Sequence, residues 1–288
     1  MNALEATTFW IAIALYAVGA VAIIAALSFK KPALQTAALA ATGAGLAAHS
    51  VAIVARWVAA GHFPYIEDYE NVLVGAFVMV LAYFVVALRF RGTALAGVLI
   101  LPVTLVTCGY GITQAGPAGP VTPPYQSGWL VVHVTFAWIT YAAYSTVAGL
   151  AAVHLIRRRA ERRGQPDGLP PWLPSAERIE ELTLPLVAFG FLNNAVMIAS
   201  GSIWAYRLWG SYWSWDPVET WSLLTWLAYG FYLHAKVTLK WSADRLAWLA
   251  LFCLFGVMMV FWGVQLVPTS YHLFRNIGSG MPRLSRPQ

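Results

Sequence analysis

Eight stretches of this chain are each long and apolar enough to cross a lipid bilayer as a helix, which takes about 20 residues. They fall at roughly 7–28, 34–59, 70–88, 93–112, 128–156, 182–203, 217–240 and 244–266. The third and fourth are separated only by RFRG, enough for a tight hairpin. Hydrophobic residues make up 59% of the 288 and charged ones only 10%, too apolar for a soluble domain of this length. The expected fold class is therefore an all-α polytopic membrane protein of about eight transmembrane helices, forming a single integral domain over 1–288.

Orientation follows from Lys and Arg. With the N-terminus outside, the inner loops and helix ends receive 13 of the 18 basic residues, including Arg157, Arg158, Arg159, Arg162 and Arg163. The outer side keeps Arg56, Arg207, Arg275, Arg283 and Arg286. This asymmetry predicts an N-out, C-out topology. It also accounts for the net charge of +6 without nucleic acid, because a basic inner face meets anionic lipid headgroups. The N-terminus MNALEATTFW has no basic run before its apolar stretch, so the first segment is expected to stay as a helix rather than be cleaved. A cytoplasmic connector is expected over 157–181 and a mobile tail over 278–288. Cys108 and Cys253 sit in apolar segments with no CxxC between them, and read as buried small hydrophobes.

One stretch does not fit a plain span: WAYRLWGSYWSWDPVETW, with an external loop expected over 204–217. DPVE reads as a helix start, with Asp216 as N-cap, Pro217 at the first helical position and Glu219 at the third. For Asp216 that reading and a direct ligand role both stay open. Six of the 14 tryptophans (Trp204, Trp209, Trp213, Trp215, Trp221, Trp226) lie within 23 residues. Interfacial anchors would spread over many helix ends. Concentration on one loop suits a platform for a large planar ligand, each aromatic face offering roughly 150–250 Å². Arg207 could pair with a carboxylate on that ligand.

A planar macrocycle with carboxylates at one edge is a porphyrin, and haem iron takes axial imidazoles. His133 lies about five residues inside the outer end of the fifth segment, roughly 8 Å deep. His272 follows the outer end of the eighth segment, so both reach the outer face. His234 lies 17 residues beyond Pro217, near Lys236 on the inner side, and cannot share an iron with His133. At that depth an ionisable side chain is a functional candidate. His49 shares a helix face with Arg56 and reads as part of a polar seam. His62, beside Pro64, reads as part of a structured turn, and His154 as a polar residue at an inner helix end.

WGSYWSWDPVETW resembles the tryptophan-rich "WWD" signature of haem-handling proteins. Its extension ETWSLLTWLAYGFYLHAK resembles the CcsA/ResC type of the system II cytochrome c assembly machinery. ARWVAAGHFPYIEDYENVL and WLVVHVTFAWITYAAY resemble the same family's early segment and its outer-histidine helix. The match runs from about residue 45 to 272. The resemblance implies that His133 and His272 are the external axial ligands of haem b and that His234 is the histidine within the membrane. It implies that Trp204, Trp209, Trp213, Trp215, Trp221, Arg207 and Asp216 form the WWD pocket. PTSYHLFRN departs from the Leu-His-Ser-Tyr expected around the last histidine. The implied activity is transport and presentation of haem for thioether bonding to the two thiols of an apocytochrome c CxxCH. A ResB/CcsB-type membrane subunit would complete the synthase, with the Trp-rich loop on the periplasmic side of a bacterial inner membrane.

Other readings stay in view. CcmC and CcmF also carry WWD signatures, in a different assembly system. A respiratory cytochrome b subunit typically places histidine pairs 13 or 14 apart on each of two helices. Here only His49 and His62 are 13 apart, and His62 falls in a Pro-containing loop. A transporter or scaffold using its tryptophans as anchors is the remaining class.

Overall fold

The computed structural model describes residues 1–90, 92–119, 121, 125–164, 169–262 and 267. Among these, eight α-helices follow one another: α1 (Ala3–Phe29), α2 (Pro32–Ala60), α3 (Asp68–Arg89), α4 (Gly97–Thr113), α5 (Gly128–Arg162), α6 (Ala176–Trp209), α7 (Pro217–Val237) and α8 (Ala243–Phe261). Seven are long and apolar enough to cross a membrane. The exception, α7, is diluted by polar groups such as Glu219, Ser222, Thr225, His234 and Lys236. It packs between α6 and α8. The expected fold class holds. Helices α5 and α6 run past the predicted spans, so the connector between them narrows to 163–175 and the Trp-rich loop to 210–216. The tail expected at 278–288 lies outside the described residues.

Helix starts follow local chemistry. Capping boxes close three of them: Asn2 with Glu5 on α1, Glu67 with Glu70 on α3, and Asp216 with Glu219 on α7. In each, paired side chains take backbone N–H groups that have no partner in the first turn. The α3–α4 hairpin turns at Gly92, whose φ is +86°. A Cβ there would sit 2.4 Å from the Trp172 carbonyl oxygen, so only glycine lets the connector lie against the turn.

Helix α5 is central, and the stretch from Thr140 to Leu150 is buried throughout. One apolar core lies among α1–α4 and the near side of α5, another among α5–α8. A third, with Phe9, Tyr69, Leu73, Leu130, Trp138 and Trp204, joins both halves at one end of the bundle. Cys108 and Cys253 are buried free thiols, as their apolar context predicted.

At that same end Arg56 is fully buried. Its Nε donates to Glu70 Oε1 at 2.9 Å, one Nη to Glu67 Oε2 at 2.7 Å and the other to the Gly116 carbonyl at 3.0 Å. Glu5 lies 3.9 Å away, and the guanidinium stands 5.2 Å from the Tyr69 ring centroid. Only a planar five-donor cation can serve so many partners at once. The starts of α1 and α3, the end of α2 and the segment after α4 are thereby held together.

His49 and Arg56 are both buried on one face of α2, the polar seam expected. His49 Nδ1 lies 3.1 Å from the Tyr16 hydroxyl, and the ring is packed by Phe9, Tyr16 and Phe77. His62 sets its two ring nitrogens against the carbonyls of Phe63 and Gly119, at 2.9 and 3.1 Å, which fixes the turn.

Candidate functional site

Six helix ends converge where the first turns of α3, α5 and α7 meet the last turns of α4, α6 and α8. Between them lies a cavity of about 1010 Å³, counting the part open to solvent. Its wall includes Tyr65, Asp68, Tyr110, Tyr125, His133 and Trp204, with Trp138, Tyr141 and Ser222 deeper along α5 and α7.

His133 is the best-defined group in it. Its Nδ1 lies 2.8 Å from the carbonyl oxygen of Met197 on α6. A carbonyl can only accept, so Nδ1 carries the hydrogen and Nε2 keeps the lone pair, the tautomer a metal-binding histidine needs. The Trp204 ring stacks beside it at 6.4 Å between centroids and 23° between planes. Trp209 meets Trp204 edge-on at 6.0 Å. On the other side of His133 is a smaller space of about 370 Å³, lined by Met197, Gly201, Ser202, Trp213 and Glu219.

Gly201 makes this approach possible. A Cβ on it would lie 2.5 Å from His133 Nδ1, inside contact distance. Gly201→Val is therefore expected to push the imidazole off the Met197 carbonyl. Any ligand held by His133 should bind about 10–100-fold more weakly, the usual cost of losing a supporting contact. A binding titration against Gly201→Ser checks this, because an effect that does not grow with side-chain volume would rule out steric displacement.

Burial in the loops beside the cavity shifts two groups. The Tyr125 phenol is pushed up to about 12, chiefly by burial and then by the charges of Asp68 and Glu67. Burial outweighs Arg56 in raising the Glu67 carboxyl. Tyr125 thus stays a neutral hydroxyl in the cavity wall.

The structure brings together part of the expected platform. Trp204 lines the large cavity and Trp213 the smaller one. Trp215 is 68% exposed, with a left-handed φ of +59°, and meets Trp213 edge-on. Trp221 turns to Phe255 and Trp226 stacks on Phe191, so these two rings face α8 and α6 instead. The reason is helical phase: beyond Pro217 each residue advances about 100°, which separates rings that are neighbours in sequence. Arg207 is exposed in the last turn of α6. Asp216 accepts from the Val218 N–H at 2.9 Å, while Glu219 takes the N–H groups of Ser214 and Asp216. These two carboxylates therefore close the loop onto α7.

His234 lies exposed on α7 rather than inside the bundle, because Tyr229, Tyr232 and Ala235 take the buried face. His272 lies outside the described residues. His154 is buried, its Nε2 2.8 Å from Asp244 Oδ1. The tyrosines and Asp68 of the cavity wall were missed from sequence. The one signal is the three-residue spacing of Asp68 and Asn71, which share a face at the start of α3.

The cytochrome c assembly protein family matches residues 65–272. A cytochrome c biogenesis protein CcsA of Synechococcus sp. (strain RCC307) is 33% identical, over 76% of this chain and 78% of the relative. That of Gloeobacter violaceus is 29% identical, over 86% and 89%. That of Chlamydomonas reinhardtii is 31% identical, over 77% of this chain but 64% of its own length. Among solved structures, the cytochrome c haem lyase CcmF superposes with a TM-score of 0.69 at 16% identity, covering 91% of this chain and 50% of that one. That likeness shows a common fold. The family match over most of the chain and the Synechococcus relative place this protein in the cytochrome c assembly family, among its CcsA members.

Proposed function

We propose that this chain holds haem b at the outer face of a bacterial plasma membrane and presents it for covalent attachment to apocytochrome c. The observation that carries the reading is His133, with Nδ1 fixed by the Met197 carbonyl and its ring beside Trp204 in the wall of the large cavity. Haem fits these residues: a neutral imidazole for iron, aromatic walls for the macrocycle and neutral phenols to exclude bulk water. His272 supplies the second axial imidazole in this reading. Each client thiol adds across a vinyl group, its sulfur bonding one carbon and its hydrogen the other, so no electrons are exchanged. The chain's part is to hold the iron and present the vinyl edge. A ResB/CcsB-type subunit completes the synthase.

Purification of the chain with and without a ResB-type subunit tests this. A reducible haem spectrum and transfer to a CxxCH apocytochrome are expected. Haem kept without transfer would favour an electron-carrying cytochrome b subunit, and no haem would leave a scaffold. His234, on the outer surface of α7, serves as an inner haem site. His234→Ala should lower the haem reaching the outer cavity with insertion unchanged, and unaltered haem content and maturation would remove it from the path.

The orientation is N-out and C-out, supported by the 13-to-5 division of basic residues. Cysteines introduced at Ala160 and Tyr212 are expected to be protected and labelled, respectively, by an impermeant maleimide on intact cells. Cys108 and Cys253 are buried and should stay silent. The opposite pattern would invert the topology.

A further inference from the structure

At the end of the bundle away from His133, four arginines surround a second concave site. Arg162 lies 29 residues beyond His133 on α5, roughly 43 Å along the helix axis. Arg158, Arg159, Arg162 and Arg163 line a recess of about 900 Å³, counting the part open to solvent. Its walls are apolar, from Leu155 and Ile156 of α5 and from Trp248 of α8, which is 64% exposed.

Asp244, the one acid among the described lining residues, is already satisfied. Asp244 receives His154 Nε2 at 2.8 Å, Arg158 Nε at 3.1 Å and Arg162 Nη at 2.6 Å. Arg157 is turned away, donating to Glu161 and to the Leu173 and Pro174 carbonyls. Arg159 and Arg163 are exposed and make no ion pair among the described residues. The recess thus combines two guanidinium forks, those of Arg159 and Arg163, without carboxylate partners among the described residues and an aromatic–aliphatic wall on the bundle's surface. An ordinary solvated charge run has the first feature and lacks the second.

We propose that this recess seats one anionic phospholipid. Its phosphodiester is held by Arg159, Arg163 and Arg162, and its acyl chain lies along Trp248, Leu155 and Ile156. Guanidinium forks match phosphate oxygens, and the exposed indole suits the depth at which headgroup gives way to hydrocarbon. A soluble anion would leave the apolar wall in water. Haem is disfavoured because His154, the imidazole nearest the recess, is buried and committed to Asp244.

Native mass spectrometry of the detergent-purified full chain, titrated with phosphatidylglycerol and with phosphatidylcholine, tests this. One phosphatidylglycerol is expected to be retained in preference to phosphatidylcholine. R159Q/R163Q should weaken that binding about thirtyfold, the combined effect of two basic residues at a headgroup surface. W248A should weaken it without any change of charge, and inorganic phosphate should fail to compete. Equal retention of the two lipids, or unaltered phosphatidylglycerol binding in R159Q/R163Q, would overturn the proposal. Displacement by inorganic phosphate would instead mark a site for soluble oxyanions. Haem binding lost in R159Q/R163Q while lipid retention is unchanged would give the recess to haem. Outer-cavity haem content is expected to stay the same in both variants, so this result stands apart from the fate of the haem reading.

Discussion

Replacing His133 with glycine should abolish cytochrome c maturation, and millimolar imidazole should partly restore it. On the proposed reading the variant removes an axial nitrogen, and it leaves an imidazole-sized space between Trp204 and the Met197 carbonyl. The loss should exceed the roughly 10–100-fold expected from disturbing a supporting residue, because on that reading the ligand to iron is itself gone. Only neutral imidazole ligates, so rescue should be stronger at pH 8 than at pH 6, on either side of its titration near ~6.5. Absorbance should return to a six-coordinate spectrum in parallel with activity. A histidine that merely packed helices would behave otherwise, since free imidazole cannot rebuild a bond between α5 and α6. Full activity of the variant without imidazole would end the assignment. His272→Gly is expected to behave alike, and rescue of His133→Gly alone would leave the second axial place to another residue.

Arg56→Leu should destabilise the protein by about 3–5 kcal/mol. The side chain it removes is fully buried, and Glu5 and Glu70 beside it are each 1% exposed. Two carboxylates would then lack their cation in a place water does not reach. Unfolding in a detergent series should show an early transition, or no folded protein should be recovered. Glu67→Gln is the contrasting variant. Its side chain is 39% exposed, so loss of the charge should cost under ~1 kcal/mol. Adding Glu70→Leu to Arg56→Leu should return part of the stability, because an apolar pair is better tolerated than an orphaned charge. A midpoint for Arg56→Leu equal to that of the parent chain would show the cluster to be solvated.

Much of the architecture was legible because its causes are local. Span length, the RFRG turn and the cap pair Asp216–Glu219 each depend on residues a few positions apart. The same holds for His133 near the start of α5 and Trp204 near the end of α6, whose depth follows from counting turns. The resemblance of the Trp-rich stretch added a function that no periodicity carries.

What only the tertiary structure decided is how each helix is rotated about its axis. A lipid-facing leucine and a core leucine satisfy the same apolar pattern, because lipid is as apolar as the core. Sequence alone therefore could not say that Trp221 and Trp226 turn to Phe255 and Phe191. Nor could it say that His234 leaves the bundle while His133 enters the cavity wall. The decisive contacts join residues far apart in the chain: His133 to Met197 over 64 positions, Arg56 to Gly116 over 60. They exist because small residues such as Gly201 let neighbouring helices close to contact, fixing a rotation that hydrophobicity leaves free.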